Sequence, residues 1–583
     1  MPPRWEESSD SGIYFHVLPS DELISLNSDL SDYFDFLDSY LEETGLESTE
    51  CGLRVPQLSQ ELLIQLVDFF KQKKFILASL SNTIQLLTNP ARMSKYITAI
   101  VSSFPSKLLF HAPAVDPSWF PLLTYAGMDI FDTLGIEKLT EQTLYMTPAG
   151  HFPLKGIMEG GNFPCTCPAC DKISNFDLET QNSRDLLLDH NITQAEQSIR
   201  LIRQIMGTNS LRDMVKSSFT NIPPAAALLR KLDTQYGHLL EERLTVNKNL
   251  PLPCSYESDL SRPEIQRFVQ RAKEFIPSSL TKICLILPCS RRKPYSLSKS
   301  HQLFHSTVKK AISNKFRSIL SEVIVTSPLG AVPRELEGIY PAAHYDIPVT
   351  GDWSTDEIAR SVDCLKSYLS KLPPDVKIIA HVSGSEANIC QEVLADRDPV
   401  FTSKNKSVTS GESLGNLNYE LRKVIKENKI ESIPKGHQVR KVHSLRAIAD
   451  YQFGSRAGNH FVHEDDNIRE SRAGITITAP DRARVAILSR ENGYFSIGVE
   501  GATRLAAGKY HLIVFGGEKF EGNAIYCPGI VSADHCIRPG DDVMIMDESG
   551  VNLLGTGRAI HHGKFLEESD YGLGVSIRKK VVK

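Results

Sequence analysis

No apolar run in this 583-residue sequence approaches the ~20 residues a helix needs to cross a bilayer, so no transmembrane helix is expected. No apolar-cored leader opens it either. Met1-Pro2-Pro3-Arg4-Trp5-Glu6-Glu7 carries no cleavage pattern, which points away from secretion and toward the cytoplasm. Strong net charge is missing too: at −5 the chain offers no global field for a nucleic acid, so any RNA contact must be a local basic patch. The eleven cysteines are an odd, mostly scattered set, which argues against a disulfide framework. Internal repeats and long low-complexity tracts are absent. What remains is an ordinary globular composition, 41% hydrophobic and 23% charged. A chain of this length divides into several cores, roughly three to five domains.

The texture changes along the chain. Up to about residue 240, helical stretches such as Gln60 to Lys71 mix with strand-like ones such as Lys107 to Phe110. From residue 282 to about 400, apolar strands alternate with amphipathic stretches. Lys282 to Leu287, Glu322 to Val325 and Lys377 to Val382 read as strands, and His305 to Leu320 and Asp356 to Leu372 as helices. That alternation predicts βαβ units around a parallel sheet. Polar residues thicken at Phe401 to Lys441 and at His463 to Arg472, the latter reading as a mobile loop or linker. Beyond Arg482 short strands and glycine turns lead to an all-β C-terminus.

The richest segment runs from Pro288 to His301. It places Cys289 directly after the apolar strand, at the end where open α/β sheets form their ligand crevices. Arg291, Arg292 and Lys293 follow, and cations favour the nucleophilic thiolate. On chemistry alone, Cys289 fits a nucleophile or a small buried cysteine ahead of a basic loop. The pattern Pro288-Cys289-x3-Lys293-Pro294-Tyr295-x2-Ser298-x2-His301 resembles the signature of the archaeosine synthases. A second block, Ser327 to Glu337 followed by Tyr340 to Gly351, also looks like that family's core domain. The resemblance implies action on the nitrile of 7-cyano-7-deazaguanine in the D-arm of tRNA. It further implies free L-lysine as the amine donor and a separate radical-SAM partner protein that cleaves the adduct.

Nitrile chemistry suggests roles for the motif residues. Cys289 would form a covalent thioimidate and His301 would shuttle protons. Lys293 would lower the thiol pKa or hold an anion, and Tyr295 and Ser298 would bond the base or the amino acid. Arg334, Glu335 and Asp346 are candidates for gripping the amino-acid substrate.

Cys165-x-Cys167-x2-Cys170 and His190 supply three thiolates and an imidazole, a donor set suited to tetrahedral, structural zinc. This motif resembles the zinc element of tRNA-guanine transglycosylases. Leu123 to Thr133 looks like the segment carrying that family's nucleophilic aspartate, which aligns with Asp132. Only about 130 residues precede it, too few for most of a (β/α)8 barrel. A degenerate, truncated TIM-barrel-like domain is therefore expected, with a structural or RNA-positioning role for Asp132.

Leu445 to Gly454 and Gly493 to Ala502 resemble the small α+β module of archaeal transglycosylases. Tyr526 to Ile530, Ile537 to Val543 and Gly555 to Ala559 look like a PUA domain, an RNA-binding β-barrel, with the basic tail Arg578 to Lys583 available for phosphates. The expected architecture is multidomain α/β and α+β. It comprises a transglycosylase-like zinc domain (1–240), an α/β catalytic core with a parallel sheet (241–430), a small α+β module (431–507) and a PUA domain (508–583). Two other functions fit less of the sequence: a true transglycosylase, and a non-catalytic subunit that presents tRNA.

Overall fold

A computed structural model describes residues 16–18, 30–160, 163–173, 181–208, 211–218, 222–245, 248–348, 352–403, 406–431, 433–472, 474–517 and 522–581. Met1 to Glu7, Gly161 and Asn162 before the cysteine cluster, Val349 to Gly351 and the final Val582-Lys583 lie outside these. The chain forms two compact units, Met1–Leu239 and Leu240–Lys583. No helix among the described residues is long and apolar enough to cross a membrane.

The first unit is built on five parallel strands in sequential order: β1 (His16–Leu18), β2 (Cys51–Val55), β3 (Leu77–Leu80), β4 (Leu109–Ala112) and β5 (Ile130–Phe131). Helices Gln60–Lys73, Pro90–Ser103 and Phe120–Ala126 make the crossovers that parallel pairing demands. Ser59 caps the first of them, and its apolar face buries Leu63, Leu66, Val67 and Phe70. A hairpin of β6 (Leu144–Thr147) and β7 (Gly150–Pro153) follows, then the long helix Gln181–Thr208.

In the second unit the alternating segment forms a sheet ordered β11-β10-β9-β13-β14. Its strands are β9 (Ile283–Pro288), β10 (Leu320–Thr326), β11 (Gly330–Pro333), β13 (Lys377–Ala380) and β14 (Val400–Phe401). A separate parallel pair joins β8 (Leu252–Pro253) to β12 (Tyr345–Asp346). β9, β10, β13 and β14 run parallel, and β11 pairs antiparallel with β10. Every residue of β9 and β10 is buried, as an apolar strand with parallel neighbours and helices on both faces requires. The chain leaves β9 toward β10, then crosses back to β13 on the other side. The carboxyl end of β9 is thus a topological switch point, the position of the ligand crevice in open α/β sheets.

The helix after β9 starts earlier than the periodicity predicts. It spans Lys299–Ala311, because the Ser298 hydroxyl caps it by accepting from the His301 N–H at 3.2 Å. The second half of the predicted helix is instead a 3-10 turn, Asn314–Ile319.

Two expectations for the C-terminal region are corrected. His463 to Arg472 is no mobile linker, because Asn467–Glu470 is a strand paired with Gly474–Thr478. The preceding turn is fixed by Asp466, which accepts from the His463 N–H and is clamped by Arg504 at 2.8 and 3.0 Å. Nor is the C-terminus all-β, since Gly563–Glu568 is a helix, whereas helix Val499–Ala507, packed on the 467–497 sheet, falls within the α+β module. A six-stranded sheet closes the chain, with Asp542–Met546 as its fully buried strand. The basic tail is largely the last strand, Leu573–Lys580, whose Arg578 is tied to Asp542 at 3.1 Å.

Candidate functional site

Cys289 is the first residue beyond β9, half-buried in the switch-point crevice. Its Sγ lies 3.5 Å from Glu386 Oε1. Glu386 comes from the first turn of helix Gly384–Val393, reached from β13 through Gly384 at φ +59°. That left-handed conformation suits glycine and turns the chain so that the helix starts beside β9. The Cys289 backbone amide also favours the ionised form of Glu386. Thr326, which ends β10, lies close enough for its hydroxyl to favour the ionised sulfur.

Burial pushes the Cys289 thiol up to about 12, and the Glu386 carboxylate adds to that shift. Lys293 and the Thr326 hydroxyl pull the other way and lose. The expectation that three cations would hold a thiolate is therefore corrected: Arg291 and Arg292 point into solvent, and only Lys293 acts on the sulfur. Glu386 is itself raised by burial. The pair is a thiol beside a carboxyl group that can take its proton, an arrangement suited to general-base activation.

Lys293 and Tyr295 converge on the same crevice. The Lys293 ammonium sits 3.9 Å from the centre of the Tyr345 ring, a cation–π contact. Burial lowers its pKa, while Cys289 and the exposed Asp346 carboxylate oppose that. Tyr295 is fully buried, its hydroxyl 2.7 Å from that of Tyr345 and 3.3 Å from Thr326. The three hydroxyls form a closed network behind the thiol rather than a free binding group.

The remaining motif residues are engaged in contacts of their own. His301 is engaged at both nitrogens: Nε2–H donates to the Pro288 carbonyl at 3.0 Å, and Nδ1 accepts from Arg334 at 2.9 Å. Burial, then the Arg334 charge, lowers its pKa to about 3. It holds a neutral tautomer that positions the end of β9, and it is Glu386 that touches the thiol. Arg334 is no open fork, since it also binds Glu337 at 2.7 Å and Glu322 at 3.4 Å. Glu335 is half-buried, and its charge acts on Arg334 and Arg440. Ser298 is spent as the helix cap. The sequence reading missed Glu386, Thr326 and Tyr345. For Glu386 the one available signal was its place just after the strand neighbouring β9.

In the first unit, the donor atoms of Cys165, Cys167, Cys170 and His190 all lie within 4.8 Å of one another. Cys170 Sγ is 3.2 Å from His190 Nδ1, and the Cys167 and Cys170 sulfurs are 3.5 Å apart. A tetrahedral ion with ~2.3 Å metal–sulfur bonds needs roughly this spacing. His190 Nε2–H donates to the Met146 carbonyl at 2.9 Å, which aims the Nδ1 lone pair at the thiols. Tyr145 stacks on the imidazole at 3.9 Å. The cluster fits a metal ion.

Asp132, just past β5, is occupied. Its Oδ1 accepts from the Ala114 N–H at 2.8 Å and the Leu134 N–H at 3.2 Å. Its Oδ2 is 3.5 Å from His111, which in turn bonds Ser79. These contacts link the carboxyl ends of β3, β4 and β5.

Comparison with known proteins parallels this layout. Residues 53–224 match the family Queuine tRNA-ribosyltransferase, and residues 265–421 a Domain of unknown function (DUF5591). Residues 443–509 match the Patch-forming domain C2 of tRNA-guanine transglycosylase, and residues 518–581 the PUA domain. The protein is thus a multidomain α/β chain with a transglycosylase-like domain and a C-terminal PUA domain. It is 33% identical to archaeosine synthase subunit alpha of Methanosarcina acetivorans, over 85% of this chain and 78% of that protein. Against the archaeosine synthase of Haloferax volcanii it is 33% identical, over 78% and 74%. Against archaeosine synthase subunit alpha of Thermococcus kodakarensis it is 28% identical, over 88% and 83%. On that extent of shared sequence, the chain belongs to the archaeosine synthase family.

Proposed function

We propose that this chain is a tRNA-modifying transferase that converts the nitrile of 7-cyano-7-deazaguanine in the D-arm into an amidine precursor of archaeosine. The observation that carries the reading is the Cys289–Glu386 contact at 3.5 Å in the switch-point crevice. As the sulfur adds to the nitrile carbon, the thiol proton passes to Glu386 and one C–N π bond opens. Glu386 then protonates the nitrogen, giving a thioimidate. An amine adds to the same carbon, the C–S bond breaks, and the surplus amine proton returns to sulfur through Glu386. One difficult addition becomes two easier ones.

Free L-lysine is the proposed donor. Lys293 and the exposed Asp346 lie at the mouth of the crevice, where a cation and an anion suit the two charged ends of an amino acid. Arg334 and Glu335 are left out of this role because Arg334 is bound by Glu322, Glu337 and His301, and the charge of Glu335 acts on Arg334 and Arg440. A separate radical-SAM protein would process the product. Zinc is the proposed ion for the cysteine–histidine cluster, since three thiolates and one imidazole fill a tetrahedron and leave no place for a reactive water. The first unit reads as a shortened transglycosylase barrel, its five parallel strands following one another in chain order. Transglycosylation itself is disfavoured, since both Asp132 oxygens are held.

The decisive experiment incubates the protein with nitrile-bearing tRNA and isotope-labelled lysine, followed by nucleoside mass analysis. A lysine-derived amidine is expected. Cys289→Ala should abolish it while tRNA affinity persists, and without an amine the adduct should accumulate on the intact wild-type chain. Turnover surviving in Cys289→Ala would falsify the covalent route.

A further inference from the structure

Beside His301 lies a cavity of about 450 Å³ lined also by His305, Arg317, Glu322, Arg334 and Arg440. Three guanidiniums face one carboxylate there. That carboxylate, Glu322, is already taken by Arg440 at 2.9 Å and Arg334 at 3.4 Å, and Arg334 has Glu337 as a second anion. Arg317 is left over. Its Nη1 is buried and has no hydrogen-bond partner among the described residues, and its Nη2 approaches His305 Nδ1 at 3.5 Å. Burial, then the charge of Arg440, lowers its pKa against the opposing pull of Glu322, the carboxylate that Arg440 and Arg334 already bind.

The cavity continues into a second one of about 480 Å³ that shares His305, Arg317 and Arg440 and adds Lys309, His437 and Lys441. The acid on its wall, Glu470, is spent on Lys441 at 2.8 Å. Helix Lys299–Ala311, the 3-10 turn Asn314–Ile319 and helix Gly436–Phe453 supply this cationic lining. In a chain of net charge −5, such a local concentration needs a reason.

We propose that this double concavity holds the phosphodiester backbone of the tRNA substrate, with Arg317 as the principal phosphate contact. This assignment rests on the tRNA-modifying reading given above. A planar guanidinium presents paired N–H groups that match phosphate oxygens. A single small anion would fill one cavity, whereas a run of cations across two adjoining ones matches a chain of phosphates. The site also has a fixed relation to the chemistry. His301, which lines it, bonds the carbonyl of Pro288, one residue before Cys289. A phosphate seated there sets the register of the RNA without reading its sequence, the ordinary work of backbone contacts.

The test uses the full-length chain and an unmodified tRNA transcript, with binding measured over a series of salt concentrations. Arg317→Gln should weaken binding about fivefold or more, and the slope of log affinity against log salt should become shallower by roughly 0.7–0.9 for the lost phosphate. Arg317→Lys, which keeps the charge without the fork, should fall between. The exposed Lys309→Gln should lower the slope with no effect on folding, and the rate of Cys289 alkylation by iodoacetamide should stay at the wild-type value in all three. Wild-type affinity and slope in Arg317→Gln would overturn the proposal while leaving the amidine reaction intact. Protection of Arg317 from phenylglyoxal by inorganic phosphate or lysine, but not by tRNA, would overturn it in favour of a small-anion site. If the wild-type chain bound no tRNA, the functional reading itself would fall, and the proposal with it.

Discussion

Cys289 and Cys284 differ by five positions and by everything that matters to reactivity. Cys284 points into the core from within β9, fully buried, and burial pushes its thiol far up. Cys289 sits past the strand end with Glu386, Thr326 and Lys293 around it, so iodoacetamide should label Cys289 and spare Cys284 in the native protein. Because its thiol is pushed up to about 12, the labelling rate should climb about tenfold per pH unit from pH 7 to 10 without levelling off, since only the thiolate reacts. Glu386→Gln removes the charge that helps raise the thiol. It should speed labelling several-fold at pH 8, yet slow amidine formation by about 100-fold or more through loss of the proton carrier. Faster labelling with undiminished turnover would exclude Glu386 as the base. The nucleophile was legible in the motif. Its partner was not, because Glu386 lies 97 residues away in sequence and only β13 lying beside β9 brings it near.

At the scale of elements, β10 is held to helix Gly436–Phe453 and to the Arg334 turn by one carboxylate. Burial alone would raise Glu322, but Arg334, Arg440 and Arg317 hold it down to about 2, against an ordinary 4.5. A folded-state value below the unfolded one means stability that is full above about pH 4.5 and lost as pH falls toward 2. Glu322→Gln should cost about 3–5 kcal/mol at neutral pH by leaving buried guanidiniums unmatched. Its stability should also fall less steeply than that of the wild type between pH 5 and 3, as denaturant unfolding at each pH would report. The hairpin of β6 and β7 and helix Gln181–Thr208 depend in turn on the Cys165, Cys167, Cys170 and His190 cluster, which is anchored to Met146 by His190. Metal analysis should find one zinc per chain, and chelation should raise hydrogen exchange in both elements, since ligand binding there is folding free energy. A folded sample with no metal and unchanged exchange would remove the ion from the account.

At the scale of the molecule, the last two modules share a core. Met544, in the strand Asp542–Met546, is fully buried among Phe461, Phe495 and Leu505 of the preceding module, and Asp542 accepts the Ile497 N–H at 3.1 Å. A cut near residue 508 therefore exposes a packed surface as well as removing an RNA-binding domain. Met544→Ala alone should cost about 2–5 kcal/mol in denaturant unfolding of this unit, and a cost below 1 kcal/mol would show that the two modules pack independently. The sequence by itself determined the strands and crossovers of the α/β core, the cysteine at a strand's carboxyl end, the metal donor set and the two C-terminal modules. Each of these rests on local pattern: apolar runs, ligand spacing, turn chemistry. Only the tertiary structure decided which polar residues surround the thiol and which are spent on ion pairs and a helix cap. Lys293, Tyr295 and His301 share one short motif, yet Lys293 acts on the thiol, Tyr295 closes a hydroxyl network with Tyr345 and Thr326, and His301 is tied to Pro288 and Arg334. It also decided that burial and Glu386 outweigh the cations around Cys289, because the Arg291 and Arg292 charges are dissipated in water while the buried carboxylate is not.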